Sequence, residues 1–264
     1  MHQHPHRALA AGLTASLILA LAPTGARAQE PAPAAAPADA VQSEYDALMK
    51  EFEAAQQAFY QKYSTLETEG ERRALVEDAS QNPNQSFTSR FQTFAEHTGT
   101  HPAAASAWMW LLQATDDKEE MSRIADRMLK DFLHAPAIVQ FAQFLTHAEW
   151  RLGREKTVAA LRTIRGQSRD AEGKLQATLA LGIVQMSAQD AAGKKEGRAL
   201  LEEVVAAQKD GPLAARAAGF LFELDRLQVG MLAPEIEGSD SEGQPFRLSD
   251  YRGKVVVLDF WGFW

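Results

Sequence analysis

Three histidines open the chain, His2, His4 and His6, alternating with Gln3 and Pro5. Imidazoles so spaced can ligate a metal. Here they precede an apolar run that reads as a removable leader, and they are expected to leave with it. His97 and His101 stand four apart, the spacing that puts two ligands on one helix face. Thr98-Gly99-Thr100 and Pro102 interrupt that face and predict a loop with two solvated rings. The acids of Glu119-Glu120 and of Glu202-Glu203 are adjacent, so on a helix they point apart and do not form an acid/base pair. The 264 residues hold no cysteine, hence no thiol nucleophile and no disulfide. No glycine-rich phosphate loop, Ser–His–Asp order or zinc spacing occurs. From these residues the sequence assigns no catalytic, cofactor-binding or metal-binding position.

The elements that would position any chemistry begin with a leader. Arg7 is followed by the apolar run Ala8 to Ala22, a Pro23-Thr24-Gly25 break and the small-residue site Ala26-Arg27-Ala28. Residues 1–28 therefore read as a secretory signal peptide, the run being short for a membrane span. Its removal would take away two arginines and no acid, moving the formal net charge from -8 to -10. So acidic a chain disfavours nucleic acid and anionic membrane as partners. The expected location is exported: periplasm, cell envelope or extracellular space. Without disulfides in such a compartment, stability must come from packing. Residues 29–40, rich in Pro and Ala, predict a flexible linker.

Residues 41–228 keep helical periodicity throughout. Tyr45, Leu48, Met49, Phe52, Ala55, Phe59 and Tyr63 mark one face. Asp117 with Glu120 predicts a capping box ahead of the stripe Met121, Ile124, Ala125, Met128, Leu129 and Phe132. Pro136 suits the first turn of the next helix, carrying Ile138, Phe141, Ala142 and Leu145. Later stripes run through Leu175, Leu179, Ile183 and Met186, then Leu200 to Val205, then Ala214 to Leu224. Helices of about 12–17 residues joined by Gly, Asp or Pro turns predict stacked hairpins, a helical-repeat solenoid. Leu152-Gly153 and Leu181-Gly182 faintly resemble the Leu-Gly pair of tetratricopeptide repeats, without the rest of that signature. The cluster Trp108, Trp110, Phe141, Phe144 and Trp150 is expected to pack between helices rather than line a peptide groove.

The period changes after Gln228. Val229-Gly230 and Ala233-Pro234 open an extended stretch, Ser241-Glu242-Gly243 signals a turn, and Phe246 alternating with Leu248 predicts a strand. Ser249 can cap one helical turn ended by Gly253, and Val255 to Phe260 predicts a strand buried on both faces. In this order, with Asp240, Asp250-Tyr251, Lys254 and Trp261, the set resembles the start of redoxin domains. These are the alkyl-hydroperoxide-reductase and thiol-specific-antioxidant group and the exported thiol–disulfide oxidoreductases related to thioredoxin. The resemblance covers residues 229–264 alone. It implies a thioredoxin-like α/β domain whose Trp-Cys-x-x-Cys dithiol comes directly after the strand, with Trp264 at the motif's Trp. In such domains a thiolate at a helix N-terminus attacks a disulfide or peroxide, and the second Cys resolves the mixed disulfide.

The nucleophilic Cys would be the residue after Trp264. Three readings of that end stand together: a mutation or gene-model truncation, a UGA codon read as selenocysteine, and a short form working through its helices. The expected fold is mainly α: a helical-repeat, tetratricopeptide-like domain, then the β-hairpin and first core strand of an incomplete thioredoxin-like domain. Its tail should pack on the helices or stay exposed as an aggregation-prone strand. The expected function is an exported thiol–disulfide oxidoreductase or peroxide-reducing redoxin, inactive without its dithiol. Protein thiols, disulfides or peroxide would be its partners once the domain is complete, and no cofactor or metal is called for. The competing expectation is a non-enzymatic helical-repeat protein that binds a protein partner and keeps a vestigial redoxin tail.

Overall fold

A computed structural model describes residues 39–260 and residue 262. The leader, nearly all of the linker, His2, His4, His6, Trp261 and Trp264 lie outside the described residues. Among the described residues the chain is mainly helical, with one small two-stranded sheet. The helical segments are α1 (Ala40–Thr65), α2 (Glu69–Glu77), α3 (Pro83–Ser86), α4 (Thr88–His97), α5 (Pro102–Ala114) and α6 (Lys118–Asp131). They continue as α7 (Ile138–Leu145), α8 (Glu149–Leu152), α9 (Arg154–Gln167), α10 (Ala171–Met186), α11 (Ala191–Ala207) and α12 (Pro212–Arg226).

Short polar side chains set half of the helix starts by accepting the first free N–H groups. Asp39 does so for α1, Asp170 for α10 and Asp190 for α11, while Thr68 and Glu71 form a reciprocal capping box on α2. Asp117 caps α6 through the N–H groups of Glu119 and Glu120, each at 2.8 Å. The expected reciprocal bond from Glu120 is not made, because its carboxylate pairs with Arg123. Pro136 lies in the turn before α7 rather than in its first turn.

Packing follows the predicted stripes. Met121, Ile124, Ala125 and Met128 of α6 are buried, as are Ile138, Phe141, Ala142 and Leu145 of α7. They belong to a large apolar cluster that runs from α1 to Leu200 of α11. A smaller cluster, centred on Leu179, Leu201, Val204 and Ala217, joins α10, α11 and α12. Burying each such large side chain contributes about 1.5–3 kcal/mol. The α10–α11 crossing is tight enough that a Cβ at Gly197 would lie 2.8 Å from the carbonyl oxygen of Gly182.

Charged ladders lie over these helices. Arg162 and Arg165 of α9 meet Glu196 and Glu203 of α11 at 2.9 Å, so α9 and α11 run the same way. Arg198 grips both carboxylate oxygens of Asp225 on α12 at 2.7 and 3.0 Å. Arg154 donates to Glu149, to the Val184 carbonyl, to Ser187 and to Gln185, tying the α8–α9 corner to the end of α10.

Beyond α12 lie β1 (Glu237–Ser239) and β2 (Pro245–Arg247), antiparallel with Gly238 opposite Phe246, and a 3₁₀ turn over Leu248–Tyr251. Leu248 thus belongs to the turn, not to the strand predicted through Phe246. Val255 to Phe260 has the pattern of a strand buried in a complete sheet, and of the two outcomes expected for the tail here it takes the exposed one. The segment is exposed and forms no strand. The physical reason is that a strand exists only through its ladder and its covering layers, and among the described residues neither lies against this segment.

Candidate functional site

The region for which redox chemistry is expected is built around one carboxylate. Glu235 accepts the Ser249 N–H at 3.0 Å and the Ile236 N–H at 3.3 Å. Hydrogen bonding with Ser249 holds the Glu235 carboxyl below the usual glutamate range. The Leu248 N–H donates to the Ile236 carbonyl at 2.9 Å, and Arg247 spans β2 to Glu237 on β1 at 3.1 Å. Asp240 closes the hairpin by accepting from Glu242 and Gln244, with Gly243 at φ 78.

This hairpin and turn deliver the chain to Val255, where apolar residues face solvent: Val255 is 97%, Val257 86% and Phe260 83% exposed. Neither apolar cluster includes any residue beyond Leu221. The arrangement presents an exposed apolar segment and no thiol, because the sequence holds no cysteine.

A second polar arrangement lies where α1 meets the α4–α5 corner. Only Thr98, Gly99 and Thr100 form the predicted loop; His97 ends α4 and His101 is the N-cap of α5. Neither ring is simply solvated. The Nδ1 of His97 bonds the Thr93 carbonyl at 2.9 Å, and its Nε2 faces Glu44 of α1 at 3.6 Å. The His101 Nδ1 accepts the Ala103 N–H at 3.2 Å, and its Nε2 meets Asp39 at 2.8 Å. These acids lie more than fifty residues upstream, and no local pattern announces them. The only advance signal was the four-residue spacing of the two rings.

The aromatic cluster divides. Trp110 stacks on Phe91 at 4.0 Å and meets Phe52 edge-on at 5.1 Å. Trp108 and Phe141 are buried, and Phe144 packs half-buried against the large cluster. Trp150 departs from the expectation at 74% exposed, because the inward position of the four-residue α8 is taken by Leu152, which packs against the large cluster. The adjacent acids point apart as expected: Glu202 pairs with Arg198 on its own helix, Glu203 with Arg165 on α9. Among the described residues no three metal-ligating side chains converge, and no helix is long and apolar enough to cross a membrane.

No protein-family model matches the chain. No solved structure matches it either. Curated relatives match over a short stretch. The chain is 51% identical over 47 residues to "Thiol-disulfide oxidoreductase ResA" of Geobacillus thermodenitrificans, covering 18% of this chain and 27% of that protein. It is 49% identical over 45 residues to the protein of the same name from Geobacillus kaustophilus, covering 17% and 26%. For that of Bacillus thuringiensis strain Al Hakam, identity is 41% over 46 residues, covering 17% and 27%. The chain thus spans about a quarter of the length of the curated relatives it matches. One short stretch of this chain carries a redox-related, thioredoxin-like relationship.

Proposed function

We propose that residues 229–264 are the opening segment of a thioredoxin-like thiol–disulfide oxidoreductase domain, carried by an exported protein on a helical-repeat domain of residues 41–228. The observation that carries this reading is the ordered set from Val229-Gly230 through Ala233-Pro234, Gly243, Phe246, Asp250-Tyr251 and Gly253-Lys254 to Val255–Trp261. The short relationship to thiol–disulfide oxidoreductases supports it. The leader pattern of residues 1–28 supports export.

In this reading the hairpin, held to the 3₁₀ turn by Glu235 and Ser249, aims Val255–Phe260 into a sheet whose other strands lie outside these residues. The dithiol would be presented at a helix N-terminus, where backbone N–H groups stabilise a thiolate. Its chemistry would be disulfide exchange with protein thiols and disulfides, or reduction of peroxide. The helices would hold a protein partner beside it. A second reading, a helical interaction protein with an inert tail, is favoured by one observation: both apolar clusters are complete without the tail.

A chimera separates the two. Residues 229–264 replace the matching segment of the Geobacillus thermodenitrificans oxidoreductase, and insulin reduction driven by dithiothreitol is monitored. A folded, active chimera is expected. A chimera that fails to fold, while the same graft from the Geobacillus kaustophilus protein succeeds, would overturn the oxidoreductase reading. The 264-residue chain itself should stay at the no-enzyme background; turnover that survives purification would contradict the requirement for a thiol.

A further inference from the structure

The two rings at the α1 corner carry opposite tautomers. Carbonyl oxygens only accept, so the His97 Nδ1 facing the Thr93 carbonyl must bear hydrogen. In the neutral ring its Nε2 is then a bare lone pair, facing the Glu44 carboxylate at 3.6 Å. His101 is reversed. Its Nδ1 accepts from the Ala103 N–H, so its Nε2 carries the hydrogen that bonds Asp39.

We propose that His97 is a pH-operated latch that holds the first turns of α1 on the α4–α5 corner, tightening when its Nε2 takes up a proton. The neutral ring sets a lone pair against a carboxylate; the charged ring sets an N–H in its place. His101 is the fixed staple beside it, since its neutral form already satisfies both partners.

The other charged groups leave His97 as the group that switches. Glu51 of α1 is taken by Arg90 of α4 at 2.7 Å, and Glu96 beside His97 accepts from Gln92 at 2.9 Å. Asp39 is held below the usual aspartate range, first by the Gln42 N–H and then by His101, so it stays anionic through the window. The added charge sets the sign. The attraction is present while the ring carries the added proton and is lost when the ring gives it up. The helix under the latch, α1, is the one that begins where the linker ends, so its docking would respond to the acidity of the compartment.

Ring nitrogen shifts of the full chain at pH 8 should show His97 protonated at Nδ1 and His101 at Nε2. Protection factors of the Tyr45 to Met49 amides, corrected for intrinsic exchange, should rise about 1.5- to 5-fold from pH 7.5 to 5.5, the range expected of an exposed ion pair. His97→Gln and Glu44→Gln should each abolish the rise while leaving the helical signal unchanged. The same tautomer on both rings, or a rise that survives both substitutions, would overturn the proposal.

Discussion

Gly197 and Gly182 face each other across the α10–α11 crossing, and alanine there tests how closely the helices approach. A Cβ on Gly197 would lie 2.8 Å from the Gly182 oxygen, 2.8 Å from the Met186 nitrogen and 3.0 Å from the Gln185 carbonyl carbon. All three are backbone atoms, so α11 must move away from α10. Overpacking of this kind costs about 1–3 kcal/mol. Against it stands the helix preference of alanine over glycine, about 1 kcal/mol. Gly197→Ala should therefore lose about 1 kcal/mol net, the midpoint of that balance. A Cβ on Gly182 meets the buried Leu201 side chain at 3.0 Å and backbone only at 3.3 Å, a milder clash that the alanine preference offsets, so Gly182→Ala should be close to neutral. Gly219 of α12 has nothing within 4 Å of its Cβ position, and Gly219→Ala should gain about 1 kcal/mol. Urea unfolding monitored by circular dichroism should rank Gly219→Ala above Gly182→Ala above Gly197→Ala. The outer pair should differ by about 4–8 °C in midpoint on heating. Gly197→Ala as stable as Gly219→Ala would refute the close crossing.

Two further outcomes are expected. Deleting residues 229–264 should leave helical circular dichroism and cooperativity unchanged and improve solubility, because neither apolar cluster draws on the tail and Val255, Val257 and Phe260 are exposed; a broadened thermal transition would show the tail to be part of the core. The Asp78 carboxyl, accepting from the Ser80 hydroxyl at 2.6 Å and from Gln81, is lowered to about 2. The turn after α2 should therefore hold above the ordinary aspartate range and loosen as pH falls through it towards about 2, with Ser80→Ala raising the NMR titration midpoint of Asp78; an unmoved midpoint would exclude the hydroxyl as the main cause.

The helices were legible because their signals are local. The α6 stripe from Met121 to Phe132 needs only side-chain spacing, and Asp117 caps the helix directly after it. The second half of the capping box failed because Glu120 had a better partner in Arg123 one turn on, a choice the motif does not encode. Leu181-Gly182 read as a faint repeat signature, whereas the structure gives Gly182 a packing reason, the approach of α11. Gly197, its counterpart, carried no signal because the need arises on another helix. The same holds for the histidines: what His97 and His101 do depends on Glu44 and Asp39 of α1, which only the fold brings near. Trp150 looked like core by type, yet Leu152 takes the inward position of α8 and leaves it outside. Val255–Phe260 has the composition of a buried strand, but a strand is a property of its neighbours.

The thioredoxin-like reading requires a thiol or selenol downstream of Lys254 in the native protein. Tryptic digestion of material purified from its source releases a peptide that begins at Val255, and mass spectrometry reads its length and composition. The expected peptide runs through Trp261 and Trp264 into a cysteine or selenocysteine, with alkylation marking a second thiol three residues later. A native peptide ending at Trp264, with no in-frame cysteine downstream in the DNA, would contradict the thioredoxin-like reading and leave the helical interaction protein in its place.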